Sequence, residues 1–405
     1  MKNIYFITLI LSICSLPSCS LDKKAKEFSA FPSYTINLDS VSSAPFRYSS
    51  IYSKVKAIVL DNQKVLLNEI TRLSSFQDNF FVLDSKAQAL YAFNSEGQFI
   101  HQIGNLGSGP GEYASCTDFT IDTDKEEIII LDSALKKIFK YKATNGRFIE
   151  SIHLDNLCDI DRIYYHKKNL YGTKAGFISL SNQSSFMLHQ LSATSGKLKR
   201  SWLDNNKYNK GWQGEFIRNN LFYPTTNKCL FIMGFMDTII QIETEQPLPY
   251  ITLESKGLVT EEDIIPMKEK KDREAFLQMF QYNIKHKKIQ NICGFFEHKE
   301  QLFFSFQRFS KHFVCHNKRT NETLIYDKEE NDILYKESPS NYTFPKFLLA
   351  DGNGVYYSTP IESIDELRHF IIEKGLGSDK FVNKEILKKL DIDSNPVILF
   401  YEFKK

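Results

Sequence analysis

The sequence lacks an excess of charge of either sign: 51 Lys and Arg stand against 49 Asp and Glu, which leaves a net charge of +2. A protein whose main task is to bind nucleic acid usually carries a basic field, so this balance argues against that task. The seven cysteines form no Cys-x-x-Cys pair, which leaves no support for the commonest zinc and redox arrangements. Beyond the first segment, no run of eighteen apolar residues predicts a membrane-spanning helix.

The composition that is present belongs to an ordinary globular chain, with 42% hydrophobic and 25% charged residues. Aromatic residues are abundant at 14%, led by 33 Phe and 20 Tyr. Flat rings pack well on a pleated surface, so this abundance favours β-strands. A length of 405 residues alone would suggest two or three domains.

The first residues form a targeting segment. Met1-Lys2-Asn3 is a short positive start, and an apolar run from Ile4 to Leu16 has the length of a signal-peptide core. Leu16-Pro-Ser-Cys19 resembles a bacterial lipobox, which implies a signal peptide over 1–18, cleavage before Cys19 and a diacylglycerol on its sulfur. Residues 19–44 are then expected to form a tether and a closing strand. The alternative is an ordinary secretory signal with a chance cysteine.

A repeat organises the chain that follows. Each unit has an apolar strand ending in Asp-Ser, a short turn, an alternating strand, a glycine turn and another strand. Asp84 and Asp132, which end the apolar strands, are 48 residues apart, and Gly97 and Gly146 are 49 apart. Such a unit is a β-meander.

Weaker copies of the unit recur later in the chain. They begin near Asn169, Lys228, Gln301 and Gly354. A period of 40–60 residues with several strands per unit is typical of a β-propeller, in which each sheet packs only on its neighbours. We therefore expect an all-β fold, a six-bladed β-propeller with short helical insertions over 45–405, and a β-sandwich is the alternative.

Several segments carry a family resemblance. They are Gln102–Tyr113 with its Gly-Pro-Gly loop, Phe119–Asp122, Ile128–Asp132 and Lys137–Tyr141. They resemble an NHL repeat, and together with the lipobox and the terminal Asn395–Tyr401 they resemble the six-bladed β-propeller lipoproteins of Gram-negative bacteria. The resemblance implies a fold and an outer-membrane location, and it implies little chemistry. Only one Gly-Pro-Gly loop is present.

Two further features concern the periphery of the propeller. A helical insertion is predicted near 260–290, because Thr260 offers an N-cap before an acidic turn and Phe276, Met279 and Phe280 share one helix face. It is either a lid over the channel or a packed surface excursion.

Closure of the propeller requires a strand from each terminus in one sheet. Val397–Phe403 is the expected last strand, and either Tyr34–Leu38 or Val55–Leu60 is its expected partner.

Motifs for catalysis or metal binding are weak. The Gly104–Gly111 loop lacks the Gly-Lys-Ser/Thr of a phosphate cradle, and its glycines are expected to adopt positive φ. Pro396 replaces the glycine that a calcium loop would need after Asp391. The sequence therefore predicts no catalytic residues, no metal site and no cofactor.

Two histidines and two aspartates also invite a functional interpretation. His312 and His316 lie four residues apart in a strand pattern, about 13 Å, which is too far for them to share an ion. Asp84 and Asp132 are expected to cap turns.

One long segment, 205–220, suits a ligand. Tyr208, Trp212 and Arg218 combine flat rings and a charge that would suit a sugar or a peptide. The alternative is a packed loop between blades.

The sequence favours a membrane-anchored envelope lipoprotein of the outer membrane, periplasmic or surface-facing, whose propeller is a ligand- or protein-binding scaffold without catalysis. Expected partners are the membrane, through the lipid on Cys19, and an envelope protein or a glycan or peptide ligand, with no nucleic acid. The alternatives are a propeller enzyme, a lyase or lactonase-like hydrolase with a metal in the channel, and a structural subunit of an envelope assembly.

Overall fold

The computed structural model of the protein describes residues 31–405 apart from 157, 176–185, 215–220, 226–227, 268–271, 340–344 and 392. The expected signal peptide and Cys19 lie outside the described residues. Six β-sheets are arranged as the six blades of a β-propeller, which confirms the predicted fold class. The alternative of a β-sandwich is therefore wrong.

The strands are numbered in chain order. Three precede the first complete blade: β1 (Tyr34–Asn37), β2 (Phe46–Arg47) and β3 (Tyr52–Val59). Blade 1 follows as β4 (Arg72–Phe76), β5 (Asn79–Asp84), β6 (Ala89–Asn94) and β7 (Phe99–Ile103). The loop to the next blade contains β8 (Asn105–Leu106) and β9 (Glu112–Tyr113). Blade 2 is β10 (Asp118–Asp122), β11 (Glu127–Asp132), β12 (Lys137–Lys142) and β13 (Phe148–His153).

The next two blades follow the same antiparallel pattern. Blade 3 is β14 (Arg162–His166), β15 (Asn169–Thr173), β16 (Phe186–Ser192) and β17 (Leu198–Asp204). A one-turn helix, α1 (Asn205–Tyr208), comes next. Blade 4 is β18 (Phe222–Pro224), β19 (Cys229–Phe231), β20 (Thr238–Ile242) and β21 (Leu248–Glu254). In each blade the first strand is innermost, so these first strands surround the channel.

A helical insertion separates blades 4 and 5, as predicted. It contains α2 (Glu261–Ile264), a 3₁₀ turn (Ile265–Met267) and α3 (Asp272–Lys285). Thr260 forms the expected cap, in a reciprocal capping box with Asp263. None of the helices in the described part of the chain is long and apolar enough to cross a membrane.

The last two blades complete the ring. Blade 5 is β22 (Gln290–His298), β23 (Gln301–Arg308), β24 (Ser310–Asn317) and β25 (Glu322–Tyr326), followed by β26 (Glu329–Glu330). Blade 6 contains β27 (Lys346–Ala350), β28 (Gly354–Thr359) and β29 (Val397–Phe403). A second insertion between β28 and β29 holds α4 (Ile364–Arg368), a π-helical turn (His369–Glu373) and 3₁₀ turns (Ile361–Ser363, Lys384–Lys389).

The ring closes through β3, which pairs with β29 as the outermost strand of blade 6. Val397 is opposite Val59 and Tyr401 is opposite Val55, so the second of the two expected partners is confirmed. The first is wrong: Tyr34–Asn37 pairs in parallel with β21 as a fifth strand of blade 4. The closing strand begins at Tyr52 and not in 31–44, the described part of the segment 19–44 in which it was expected.

The repeated aspartates cap turns, as predicted. Asp132 Oδ1 accepts a hydrogen bond from Leu135 N at 2.9 Å, and Oδ2 accepts from Ala114 N at 2.7 Å and Ser115 N at 3.1 Å. Asp84 makes the equivalent bonds in blade 1, to Lys86, Ala87 and Asn68. Both carboxylates are fully buried, so each needs hydrogen-bond partners within the protein, and the backbone N–H groups of the turns supply them.

The outer edges of blades 4 to 6 are covered by other segments of the chain. β1 covers blade 4, Ser42 forms a parallel bridge to Tyr326 on blade 5, and β2 pairs with β26. Phe381 bridges Val55 on the edge of blade 6. Covering an edge strand removes a template for unwanted pairing.

Candidate functional site

A cavity of about 230 Å³ lies at one mouth of the channel. Its lining includes residues at or next to the starts of three inner strands: Thr71 before β4, Asn291 in β22 and Lys346 in β27. The inner strands of a propeller all run in the same direction along the channel, so their starts lie at the same end of the propeller. The cavity therefore belongs to the mouth from which the chain enters each blade. The other lining residues are Tyr223, Cys293, Gly294, Phe296, Ser305, Lys311, Phe313, Pro345, Phe347 and Tyr357.

The charged groups in this lining are two lysines; no Asp or Glu of the described residues lines the cavity. Lys311 Nζ lies 3.0 Å from Glu329 Oε1, whose side chain is almost completely buried. Lys346 Nζ donates to the backbone oxygen of Ile70 at 3.4 Å. Desolvation lowers the pKa of Lys346 and the Glu69 carboxylate acts in the opposite direction, although the residue as a whole remains exposed within the channel.

Aromatic rings form the walls of the cavity. The Phe296 and Phe347 rings are nearly parallel, with centroids 6.3 Å apart. Tyr357 meets Phe347 edge-on at 6.0 Å, and Tyr223 lies 6.3 Å from Phe347 on another side. Such walls suit a flat apolar body, while the lysine, amide and hydroxyl groups suit a polar end.

The inner strand of blade 5 is irregular where it borders the cavity. The pairing of β22 with β23 shifts twice, between Gln290 and Cys293 and between Cys293 and Phe296. Asn291 at φ 54° and Gly294 at φ 71° lie within these two bulges. The Gly294 backbone hydrogen-bonds the Tyr223 hydroxyl, whose pKa burial raises far above its usual value. Bulges of this kind often re-aim groups beside binding sites.

The thiol in the cavity is not activated as a nucleophile. Burial raises the pKa of Cys293, although the Ser305 hydroxyl, 3.7 Å from its sulfur, opposes the shift. A reactive cysteine needs a lowered pKa and an exposed sulfur. Within the described ranges, no group of three His, Cys, Asp or Glu side chains is placed to hold a metal ion.

An ion pair and stacked rings connect the inner strands of blades 1 to 4. Arg72 of β4 lies 2.5 Å from Asp118 of β10, and Asp118 also accepts from the backbone N–H of Ile163 in β14 at 2.8 Å. The Tyr164 ring stacks on Phe222 at 5.6 Å. These contacts join blades 1 to 4 and leave the open space beside blades 4 to 6.

The residues predicted to bind a ligand are not brought together as an exposed site. Trp212 is only 2% exposed and packs with Val259, Ile264, Met267, Ala275 and Met279 of the helical insertion. Tyr208 is partly buried against the core, and Arg218 lies outside the described residues. Binding through Trp212 stays a prediction that requires the helical insertion to move.

Two motifs judged unpromising have clear structural roles. Gly104 and Gly111 adopt positive φ of 63° and 78°, as predicted, and Glu112 accepts from Gly109 N inside the same loop. His312 and His316 are buried in β24, and each Nδ1 has its own partner, Ser310 O and Thr323 Oγ1.

Sequence reasoning missed the lysines of the cavity. Lys346 lies at the start of a weak repeat, and a lysine in that position is unremarkable in sequence. Gly294 was the available signal, because a lone glycine inside an apolar strand indicates a bulge or a close approach of the backbone.

The fold and the cavity define an all-β propeller with a ligand-sized opening at its channel mouth. A sequence model of a protein family matches the chain and identifies the family. The chain belongs to the family described as a domain of unknown function, DUF4934, whose model matches residues 33–402. No curated protein sequence matches the chain.

A solved structure shares the fold. A Bacteroides fragilis protein thought to be exported superimposes with a TM-score of 0.72 at 19% identity, over 92% of this chain and 100% of that one. A member of the DUF4221 family from Bacteroides vulgatus gives a TM-score of 0.48 at 10% identity, over 87% of this chain and 97% of that one. At 19% identity, the likeness to the Bacteroides fragilis protein concerns the fold alone.

Proposed function

We propose that this protein is an exported, lipid-anchored binding protein of the outer membrane, which captures a ligand at the channel mouth and does not transform it. The observation that carries the binding role is the cavity bordered by Lys346, Asn291 and Thr71. It combines aromatic walls with a few polar groups, which is the usual composition of a small-molecule site.

A binding role is favoured over turnover by the chemistry of the lining. The cavity thiol of Cys293 has a raised pKa, so it would be protonated at neutral pH. The described lining holds no carboxylate or imidazole that could exchange a proton with a ligand.

Two observations support export and anchoring. Leu16-Pro-Ser-Cys19 has the spacing and residue types of a lipobox. The Bacteroides fragilis protein of the same fold is described as one thought to be exported. The resemblance to six-bladed propeller lipoproteins agrees with both. Several acyl chains would hold the protein firmly, since each buried methylene contributes about 0.8 kcal/mol.

The binding role is tested by filling the cavity. Ser305 makes only long hydrogen bonds, so Ser305→Leu should fill space at little other cost. Protein incubated with an envelope extract is washed, and the bound small molecules are identified by mass spectrometry. We expect at least one compound on the wild type that is lost from Ser305→Leu and kept by Ser310→Leu, a matched change at the exposed start of β24. Equal capture by all three proteins would contradict a site in the cavity.

The anchor is tested separately. In cells fed a labelled fatty acid, the wild-type protein should carry the label and sediment with membranes, and Cys19→Ser should lose both properties. An unlabelled wild-type protein would contradict the anchor and leave the cavity result untouched. Digestion of whole cells with protease then distinguishes a surface location from a periplasmic one.

A further inference from the structure

The cavity has a chemical preference that its shape alone does not reveal. We propose that Lys346 binds the anionic group of a compact ligand, such as a carboxylate, whose flat body lies between the aromatic walls. This inference rests on the proposed binding function and specifies the ligand class of the same cavity.

The ammonium group of Lys346 offers more hydrogen-bond donors than the described residues accept. An ammonium group has three donors, and the bond to Ile70 O at 3.4 Å is a long one. No carboxylate among the described residues lies within ion-pair distance of Lys346 Nζ. The carboxylate that acts on Lys346 through space, Glu69, already accepts from Ser85 Oγ at 2.9 Å and from Thr71 Oγ1 at 3.3 Å. An anion in the cavity would supply the acceptor that the protein does not.

The charge of the lining has one sign. Lys311 is the second ammonium group of the cavity, and its partner Glu329 lies outside the lining, where Tyr48 Oη also donates to it at 2.9 Å. An anion would therefore meet two ammonium groups and no exposed carboxylate. Coulomb attraction is stronger where aromatic walls exclude water than at an open surface.

The remaining polar groups can complete the recognition. Thr71, Asn291 and Ser305 line the same cavity, and they contribute hydroxyl and amide groups to its polar side. The two bulges place the first half of β22 beside this space, and Asn291 lies in the first of them with φ of 54°.

The size of the cavity limits the ligand. A volume of about 230 Å³ corresponds to about seven or eight water molecules at roughly 30 Å³ each. This space accommodates a ring that bears an acidic group. A polymer could place only one terminal or side group in it.

The test uses three probes of nearly equal shape: benzoate, neutral benzamide and cationic benzylamine. Each is titrated into the full-length wild-type protein at neutral pH, and binding is followed by calorimetry and by the shift in melting temperature. We expect millimolar or tighter binding of benzoate, at least tenfold weaker binding of benzamide and none of benzylamine.

Variants assign the effect to the site. Lys346→Met should weaken benzoate binding at least tenfold, and Lys346→Arg should restore part of it. Lys86→Met, at a turn of blade 1, is the matched control and should bind as the wild type does. Circular dichroism and the melting temperature without probe show that each variant is folded.

Two results would overturn the inference: absence of benzoate binding in the millimolar range, or benzoate binding that Lys346→Met leaves unchanged. The envelope capture described above separates this failure from failure of the binding function. If Ser305→Leu abolishes capture of a neutral or cationic compound, the function stands and the anion preference is wrong. If Ser305→Leu changes neither the capture of envelope compounds nor benzoate binding, both the binding function and the anion preference are wrong.

Discussion

The first three blades and the last three are built differently. Blades 1 to 3, from Arg72 to Asp204, are four-stranded meanders, and the buried Asp84 and Asp132 hold the turns of the first two in one repeated way. Blades 4 to 6 have covered edges, two helical insertions and a doubly bulged inner strand, and they border the cavity. The half with the clearest repeat in sequence supports the ring, and the half that departs from the repeat provides the space for a ligand.

The largest expected effect tests whether blades 1 to 3, the regular half of the propeller, depend on the buried aspartates Asp84 and Asp132. Asp132→Ala removes a fully buried carboxylate that accepts hydrogen bonds from three backbone N–H groups. Because each hydrogen bond to a charged group contributes about 1.5–3 kcal/mol and water can replace part of the loss at this partly exposed turn, we expect the free energy of unfolding in urea to fall by about 3 kcal/mol.

Asp351→Ala is the matched control in blade 6. Asp351 also accepts three hydrogen bonds, from Asn353 N, Gly354 N and Tyr356 Oη, but it is only partly buried. Water can replace these bonds, so the loss should be about 1 kcal/mol. Equal losses in the two variants would show that the repeated aspartate has no special role in blade 2.

An effect of intermediate size on stability is expected in blades 4 to 6, the irregular half of the propeller. It concerns the helical insertion between blades 4 and 5. Burial works to raise the pKa of Asp263, but hydrogen bonds from Lys288, Tyr282 and Thr260 outweigh it and lower the pKa to about 2. A lowered carboxyl pKa stabilises the folded form above the pKa of the unfolded chain, and this contribution is lost as the pH falls towards 2. This contribution to the free energy of unfolding is expected to be about 2 kcal/mol.

Fluorescence of Trp212 reports on this insertion, because Trp212 packs against it. In a Trp202→Phe background, emission should shift to the red as the pH falls from 4 to 2. With Asp263→Asn added, the shift should already be present at neutral pH and change little on acidification. An unchanged pH profile in that variant would mean that another group controls the packing of the insertion.

The smallest effect tests the bulge beside the cavity. Gly294 has φ of 71°, and an added Cβ would meet only ordinary contacts at 3.6 Å or more. Gly294→Ala should therefore cost only the strain of a positive φ, about 1 kcal/mol. Gly352→Ala, in open space without positive φ, should change stability by much less. The melting temperatures of the two variants distinguish these results, and a neutral Gly294→Ala would show that the bulge is not strained.

The regular half could be predicted from sequence because its information is local. Asp84 and Asp132 end their strands 13 and 14 residues before Gly97 and Gly146, and each residue acts within its own turn or the adjoining loop. The closing strand could be narrowed to two segments only, because both have strand-like patterns: Tyr34–Leu38 alternates apolar and polar residues, and Val55–Leu60 is largely apolar. Only the observed pairing distinguishes the two segments: the strand that contains Val55 pairs with β29, and the strand that contains Tyr34 pairs with β21.

The candidate site could not be predicted in the same way. Lys346, Asn291 and Thr71 come from three separate blades, and only closure of the ring brings them together. The surroundings of Trp212 could not be predicted either. Its packing partners Met267 and Met279 are more than fifty residues further along the chain, and binding through Trp212 stays a prediction.

The central claim is that the irregular half binds the ligand at the channel mouth. Hydrogen–deuterium exchange of the wild-type protein, with and without the small molecules of an envelope extract, tests it most directly. We expect slower exchange in Gln290–His298 of β22 and Lys346–Ala350 of β27, with no change in β4 to β17 beyond the first residues of β4. Slower exchange confined to blades 1 to 3, or to the outer strands, would contradict the claim.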